Sequence, residues 1–196
     1  NATNKNTALM WAVCNQNLNN ITDLYNISKN EINGSTALLF AAYNQNLKVI
    51  IHLCNTFKDS ININATDKNG NTALMLAVNS KNLEVITHLC KTFKNNIDIN
   101  AKNSNGNTAL MLAVYKQNLN VIIHLCNTFK DNININATDS NGNTALMLAV
   151  NSKNLEVITY LCKTFKNNIK IKEKNRKGIK EKMLEVISTN HEVIIY

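Results

Sequence analysis

Cys54, Cys90, Cys126 and Cys162 stand 36 residues apart, and His52, His88 and His124 repeat at the same interval, a series that Tyr160 continues. Thiols and imidazoles could form disulfides, hold zinc, or pair as nucleophile and base. The constant interval argues against all three. It means that one element recurs, and equivalent atoms on stacked elements lie roughly 10 Å apart. A disulfide needs Cα atoms within about 7 Å, and zinc ligands must converge within about 2 Å of one ion. The cysteines therefore read as buried thiols and the histidines as a stacked structural column. Cys14 falls at another phase and is the single candidate reactive thiol. The chain carries no phosphate loop, His-Glu-x-x-His, Cys-x-x-Cys or nucleophile elbow. The expectation is no catalytic residues, no metal, no cofactor and no enzyme. Unpaired thiols also point to a reducing, intracellular compartment.

The elements that position these residues are written in the same period. Thr-Ala-Leu begins at Thr7, Thr36, Thr72, Thr108 and Thr144, and all five glycines, Gly34, Gly70, Gly106, Gly142 and Gly178, share one phase. Self-similarity at such a period signals a solenoid. Within a unit, Asn69-Gly70 reads as a tight turn, because glycine takes positive φ without cost. Thr72 follows as an N-cap whose hydroxyl satisfies a first-turn amide. A short helix is expected from about Ala73 to Asn79. After Ser80-Lys81-Asn82, a second helix carries Leu83, Ile86, Leu89, Cys90 and Phe93 as one apolar stripe. Ile97-Asp98-Ile99-Asn100-Ala101 alternates and reads as an extended return.

Asp67, Gly70, Thr72, Leu74, Ala77, Leu83, Glu84, Val85, Ile86, Leu89, Ile99, Asn100 and Ala101 together resemble the ankyrin repeat (D-x-x-G-x-T-P-L-H-x-A-A, L-E-V-V-x-x-L-L, D-V-N-A), and the resemblance covers nearly the whole chain. It implies an all-α ankyrin-repeat solenoid of helix-turn-helix units joined by β-turn or hairpin-like loops. The chain departs from the family pattern in four ways. Ala replaces the Pro of T-P-L-H and still suits a first helical turn. The His of that motif is Met10, Leu39, Met75, Met111 and Met147, which replaces polar bonds between turns with apolar packing. The inter-helix glycine becomes Gln16, Gln45, Lys81, Gln117 and Lys153, and a neighbouring Asn is expected to take the left-handed conformation instead. The period of 36 exceeds the family's 33 or so. Because the stripe continues to Phe57, Phe93, Phe129 and Phe165, the extra residues are placed at the end of the second helix.

One elongated domain over 1–196 follows, with repeats at about 1–29, 30–64, 65–100, 101–136, 137–172 and 173–196. The ends look like cuts, at Asn1 in mid-motif and at Tyr196 inside a second helix. Repeats three and five differ only at Lys68/Ser140, His88/Tyr160, Asp98/Lys170 and Asn100/Lys172, which reads as duplication of a two-repeat block. The last repeat carries Lys180, Lys182 and Glu185 where others have Thr144, Leu146 and Ala149, a polar outer face suited to a cap.

The net charge is +8, and Lys163, Lys166, Lys170, Lys172, Lys174, Arg176, Lys177, Lys180 and Lys182 crowd at one end. Binding of nucleic acid or an anionic surface there is the alternative reading, although a solvated cap would look the same. About a fifth of the residues are Asn, a bias that reads as codon composition of an AT-rich genome. In such a chain the sequons at Asn20, Asn26, Asn33, Asn64 and Asn136 are expected by chance. No apolar run approaches the ~18 residues of a membrane span.

Resemblance to the ankyrin family implies partner binding on a concave face made of turn tips and the exposed side of the first helices. Mapped onto this chain, that face is Cys14, Asn15, Ile32, Asn33, Ser35, Tyr43, Asn44, Thr66, Lys68, Asn69, Asn71, Asn79 and Ser80. It continues through Lys102, Ser104, Asn105, Asn107, Tyr115, Lys116, Thr138, Ser140, Asn141, Asn143, Asn151 and Ser152. Tyr43 and Tyr115 are the expected anchors, roughly 20 Å apart at two repeat spacings. The expected function is a monomeric, non-catalytic scaffold for a protein partner of unknown identity. A targeting segment of a larger enzyme, or an effector acting in a host cytosol, is the further alternative.

Overall fold

A computed structural model describes residues 2–27 and 34–170, with side chains described from Thr7 onward. The expected cap at 173–196, Ile32, Asn33 and the basic residues from Lys172 to Lys182 lie outside the described residues. The fold is an all-α helical repeat, and the described residues contain ten α-helices. The chain divides into two compact units, Asn1–Asp98 and Ile99–Tyr196.

The first unit holds α1 (Ala2–Cys14), α2 (Leu18–Ile27), α3 (Gly34–Tyr43), α4 (Leu47–Phe57), α5 (Ala73–Asn79) and α6 (Leu83–Phe93). Each odd-numbered helix pairs with the next helix, the first helices α1, α3 and α5 pack in sequence, and so do α2, α4 and α6. The second unit repeats the scheme with α7 (Ala109–Tyr115), α8 (Leu119–Phe129), α9 (Ala145–Asn151) and α10 (Leu155–Thr164). The stripe expected on the second helix is the face that packs inward. In α6, Val85, Ile86, Leu89, Cys90 and Phe93 are all buried, and α4 and α8 bury the same positions. The added length lies where the phenylalanines place it, with a 3-10 turn after α4 (Lys58–Ser60) and after α8 (Lys130–Asn132).

Caps set the helix bounds. Thr72, Thr108 and Thr144 accept hydrogen bonds through Oγ1 from the amides of Met75, Met111 and Met147 at 3.2–3.3 Å. The first two repeats differ, since α1 begins at Ala2 and α3 at Gly34, so Thr7 and Thr36 lie inside helices. In repeat two, Ser35 occupies the phase of Asn71, and its hydroxyl turns away to accept from the Asn62 amide at 2.9 Å. Repeat one lacks the turn glycine altogether, so nothing stops the helix from running back.

The inter-helix loop corrects one expectation. Gln16, Gln45, Lys81, Gln117 and Lys153 themselves take the left-handed conformation, with φ of 53–58°. The adjacent asparagines cannot, because they cap the second helices. Asn46, Asn82, Asn118 and Asn154 accept through Oδ1 from Val49, Val85, Val121 and Val157 at 3.1–3.2 Å, and this needs negative φ. Lys81 N–H donates to Val78 and Asn82 N–H to Ala77, the two bonds of a Schellman motif, whose left-handed residue must then be Lys81.

The return segment is also tighter than expected. Ile63, Ile99 and Ile135 are buried, but the segment makes turns, with Ala65 N–H donating to Asn62 and Ala137 N–H to Asn134. The bridge Thr66–Thr72 is isolated and belongs to no strand. Asn64 spans the junction between repeats in the first unit. Its amide donates to the Asn96 carbonyl at 2.7 Å, and its oxygen accepts from the Asp98 amide at 2.9 Å. Asn100 holds Asn132 and Asn134 in the same way, and Asn136 holds Asn168 and Lys170, at 2.7–2.9 Å.

Candidate functional site

The exposed surface of each repeat begins at its turn. Asp67 Oδ1 accepts from the amides of Asn69 and Asn71 at 2.8 Å, Gly70 N–H donates to the Asp67 carbonyl, and Gly70 holds φ of 75°. Asp139 builds the same turn with Asn141 and Asn143, and Asn103 builds it with Asn105 and Asn107. The tips Lys68, Asn69, Ser104, Asn105, Ser140 and Asn141 consequently point outward and are exposed. Asn71 does not belong with them. It is 9 % exposed and its amide donates to Asp67 Oδ2 at 3.2 Å, so it braces the turn from inside. Asn143 does the same at 2.9 Å. Ser35 is buried, and Asn107 is half-buried. Lys102 is exposed but tied down, its Nζ donating to the Thr138 carbonyl at 2.6 Å.

The second set of surface residues stands at the C-terminal ends of the first helices. In the first unit these are Cys14 and Asn15, Tyr43 and Asn44, and the half-buried Asn79 and Ser80, aligned because α1, α3 and α5 pack side by side. In the second unit Tyr115 and the half-buried Lys116 lie beside Asn151 and Ser152 through the packing of α7 on α9. Tyr43 is 65 % exposed and Tyr115 71 %.

Trp11 was not among the expected site residues, yet it is 68 % exposed. It sits four residues after Thr7, the phase of Phe40, Leu76, Leu112 and Leu148, and Leu76 and Leu112 are buried at 7 % and 8 %. The signal was available, because the chain's one tryptophan stands at the head of a column that continues as Phe40 and three leucines. With Ala8, Leu24 and Ile27 it lines a groove of about 540 Å³ along α1 and α2.

The thiols and imidazoles behave as structural groups. Burial pushes Cys54 and Cys162 up to about 11, and Cys90 and Cys126 up to about 12, so none is a ready nucleophile. Cys14 is exposed. Partial burial lowers the pKa of His88 and His124, and His124 Nε2 lies buried without a hydrogen-bond partner among the described residues. His52 Nε2 lies 2.8 Å from Thr22 Oγ1, which ties α2 to α4. No three His, Cys, Asp or Glu side chains come close enough to hold a metal ion among the described residues. None of the described helices is long and apolar enough to cross a membrane.

The family model for ankyrin repeats (3 copies) matches residues 9–103 and 87–175. The chain belongs to the ankyrin repeat family. Ankyrin repeats are in general protein–protein interaction modules and are typically non-catalytic. No curated protein matches the sequence. As an ankyrin chain it keeps the family frame in repeats three to five, where the turn, the capped first helix and the buried second-helix stripe are all present.

Proposed function

We propose that this ankyrin chain is a non-catalytic scaffold that binds a protein partner through its turn tips and first-helix ends, with Tyr43 and Tyr115 as anchors. The observation that carries the reading is the exposure of these two tyrosines, 65 % and 71 %, at the ends of helices whose other apolar side chains are mostly buried. Aromatic residues of this kind dominate binding energy at interfaces. Lys68, Asn69, Ser104, Asn105, Lys116, Ser140, Asn141 and Asn151 supply the polar rim, and Cys14 and Asn44 extend it in the first unit. We also place the protein in a reducing, intracellular compartment, since its five cysteines are free thiols.

The test is capture of partners from lysate by the purified chain at low and at high salt, with a Tyr43→Ala/Tyr115→Ala variant alongside. A discrete protein retained at high salt and lost in the variant supports the reading. Capture of nucleic acid that disappears with salt would move the function to the basic C-terminal residues, of which Lys163, Lys166 and Lys170 are exposed.

A further inference from the structure

The turn tips also carry a chemistry of their own. Asn69-Gly70, Asn105-Gly106 and Asn141-Gly142 each place an exposed asparagine before a residue with no side chain. In such a pair the glycine backbone nitrogen can attack the preceding side-chain carbon. That N–Cγ bond forms as the Cγ–Nδ2 bond breaks, ammonia leaves, and a five-membered imide remains. Water then opens the imide at either carbonyl and gives aspartate or isoaspartate. The only co-reactant is water, and each event adds one negative charge.

The native turn opposes this step. The attacking nitrogens are engaged, with Gly70, Gly106 and Gly142 N–H donating to the carbonyls of Asp67, Asn103 and Asp139 at 3.0, 2.8 and 3.0 Å. Reaction requires the Asn–Gly peptide to rotate, so the turn must first open. Its rate in the folded chain then follows the population of the open turn.

The three turns are not held equally. Asp67 and Asp139 each accept two backbone amides at 2.8 Å through a charged oxygen. Asn103 makes the same two bonds at 3.1 and 3.0 Å through a neutral one. Hydrogen bonds to an ionised acceptor are roughly twice as strong as neutral ones. Two effects oppose the difference, because the Gly106 N–H bond to the Asn103 carbonyl, at 2.8 Å, is the shortest of the three, and Ser140 N–H donates to the Asn105 carbonyl at 3.0 Å. Both are neutral bonds, set against the loss of charge from two.

We propose that Asn105 is a site of spontaneous deamidation in the folded chain, reacting ahead of Asn69 and Asn141, because its turn is closed by an asparagine in place of an aspartate. The whole chain is incubated folded, in mildly alkaline buffer, and the aspartate and isoaspartate formed at each of the three sites is followed by peptide mass spectrometry. The expected result is a lead of about fivefold for Asn105, the size of one hydrogen bond's net contribution. Asn103→Asp brings Asn105 down to the rate of the other two, and Asp67→Asn raises Asn69. In urea the three sites react alike. Asn105 reacting no faster than both others in the folded chain, or at an unchanged rate in the Asn103→Asp variant, overturns the proposal. The readout needs no partner, so it stands apart from the binding function.

Discussion

Adding one methyl group should be costly at one glycine of this chain and harmless at another. At Gly106, φ is +75°, and an added Cβ would lie 2.7 Å from the Ser140 nitrogen and 2.9 Å from the Asp139 carbonyl carbon. Both are backbone atoms, so no side-chain rotation relieves the contact. Left-handed backbone costs an alanine about 1–2 kcal/mol, partly offset by about 0.5–1 kcal/mol from restricting the unfolded chain. Displacing the Asp139–Ser140 turn adds roughly 1–3 kcal/mol of overpacking, and stretching the 3.0 Å bond from Ser140 to Asn105 adds about 1 kcal/mol. The sum for Gly106→Ala is a loss of about 2–5.5 kcal/mol. At Gly34 the glycine opens α3, and the nearest atoms to an added Cβ are side-chain atoms, Ile61 Cγ1 at 3.4 Å and Ser60 Oγ at 3.8 Å. There alanine favours the helix and Gly34→Ala should be neutral or stabilising by up to about 1 kcal/mol. Urea unfolding followed by circular dichroism measures both. Equal effects of the two substitutions, or a loss below about 1 kcal/mol at Gly106, would refute the reasoning.

Lys81→Gly and Lys153→Gly should each stabilise the chain by about 0.5–1 kcal/mol, because glycine removes the left-handed cost at the Schellman position. The matching alanine variants should not, and equal stability of the Gly and Ala variants in thermal melts would contradict the observed φ values. Stability should also fall on acidification through the histidines. Burial lowers the folded-state pKa of His88 and His124 from the ordinary 6.5. Below that value the unfolded chain binds protons that the folded chain does not. Their contribution is thus present above pH 6.5 and is lost as pH falls toward the folded values. Urea midpoints measured across this window should show the decline, and His88→Tyr/His124→Tyr, which copies the residue at position 160, should flatten it.

The frame was legible because its signals are local and repeated. Thr72 as cap, Ala73–Asn79 as first helix and Leu83–Phe93 as second helix follow from periodicity and capping alone, and the structure has those bounds. Competition between neighbours was harder to read. Asn82 was available for the left-handed position until its duty as N-cap is known, and that duty forces Lys81 to take the strain. Asn71 looked like a surface residue of the turn, but Asp67 draws its amide inward. The first two repeats escaped for the opposite reason, because their turn signals are missing or altered and the helices extend backward. Trp11 was passed over because its column is otherwise Phe40 and three leucines, and two of those leucines are covered while Trp11 is not.

Asn64, Asn100 and Asn136 hold the following repeat entirely by its main chain, one carbonyl and one amide for each side chain. A joint that grips only backbone is indifferent to the side chains beyond it. Asn64 meets Asp98, Asn100 meets Asn134 and Asn136 meets Lys170, an acid, an amide and a base, through the same contact. A unit copied whole carries its own fastener and fits whatever lies downstream. Such an array can be lengthened by gene duplication in a single step, with no second mutation needed to make the new junction fit. The near-identical third and fifth repeats are what that freedom leaves behind, and the exposed residues are then the ones left to diverge.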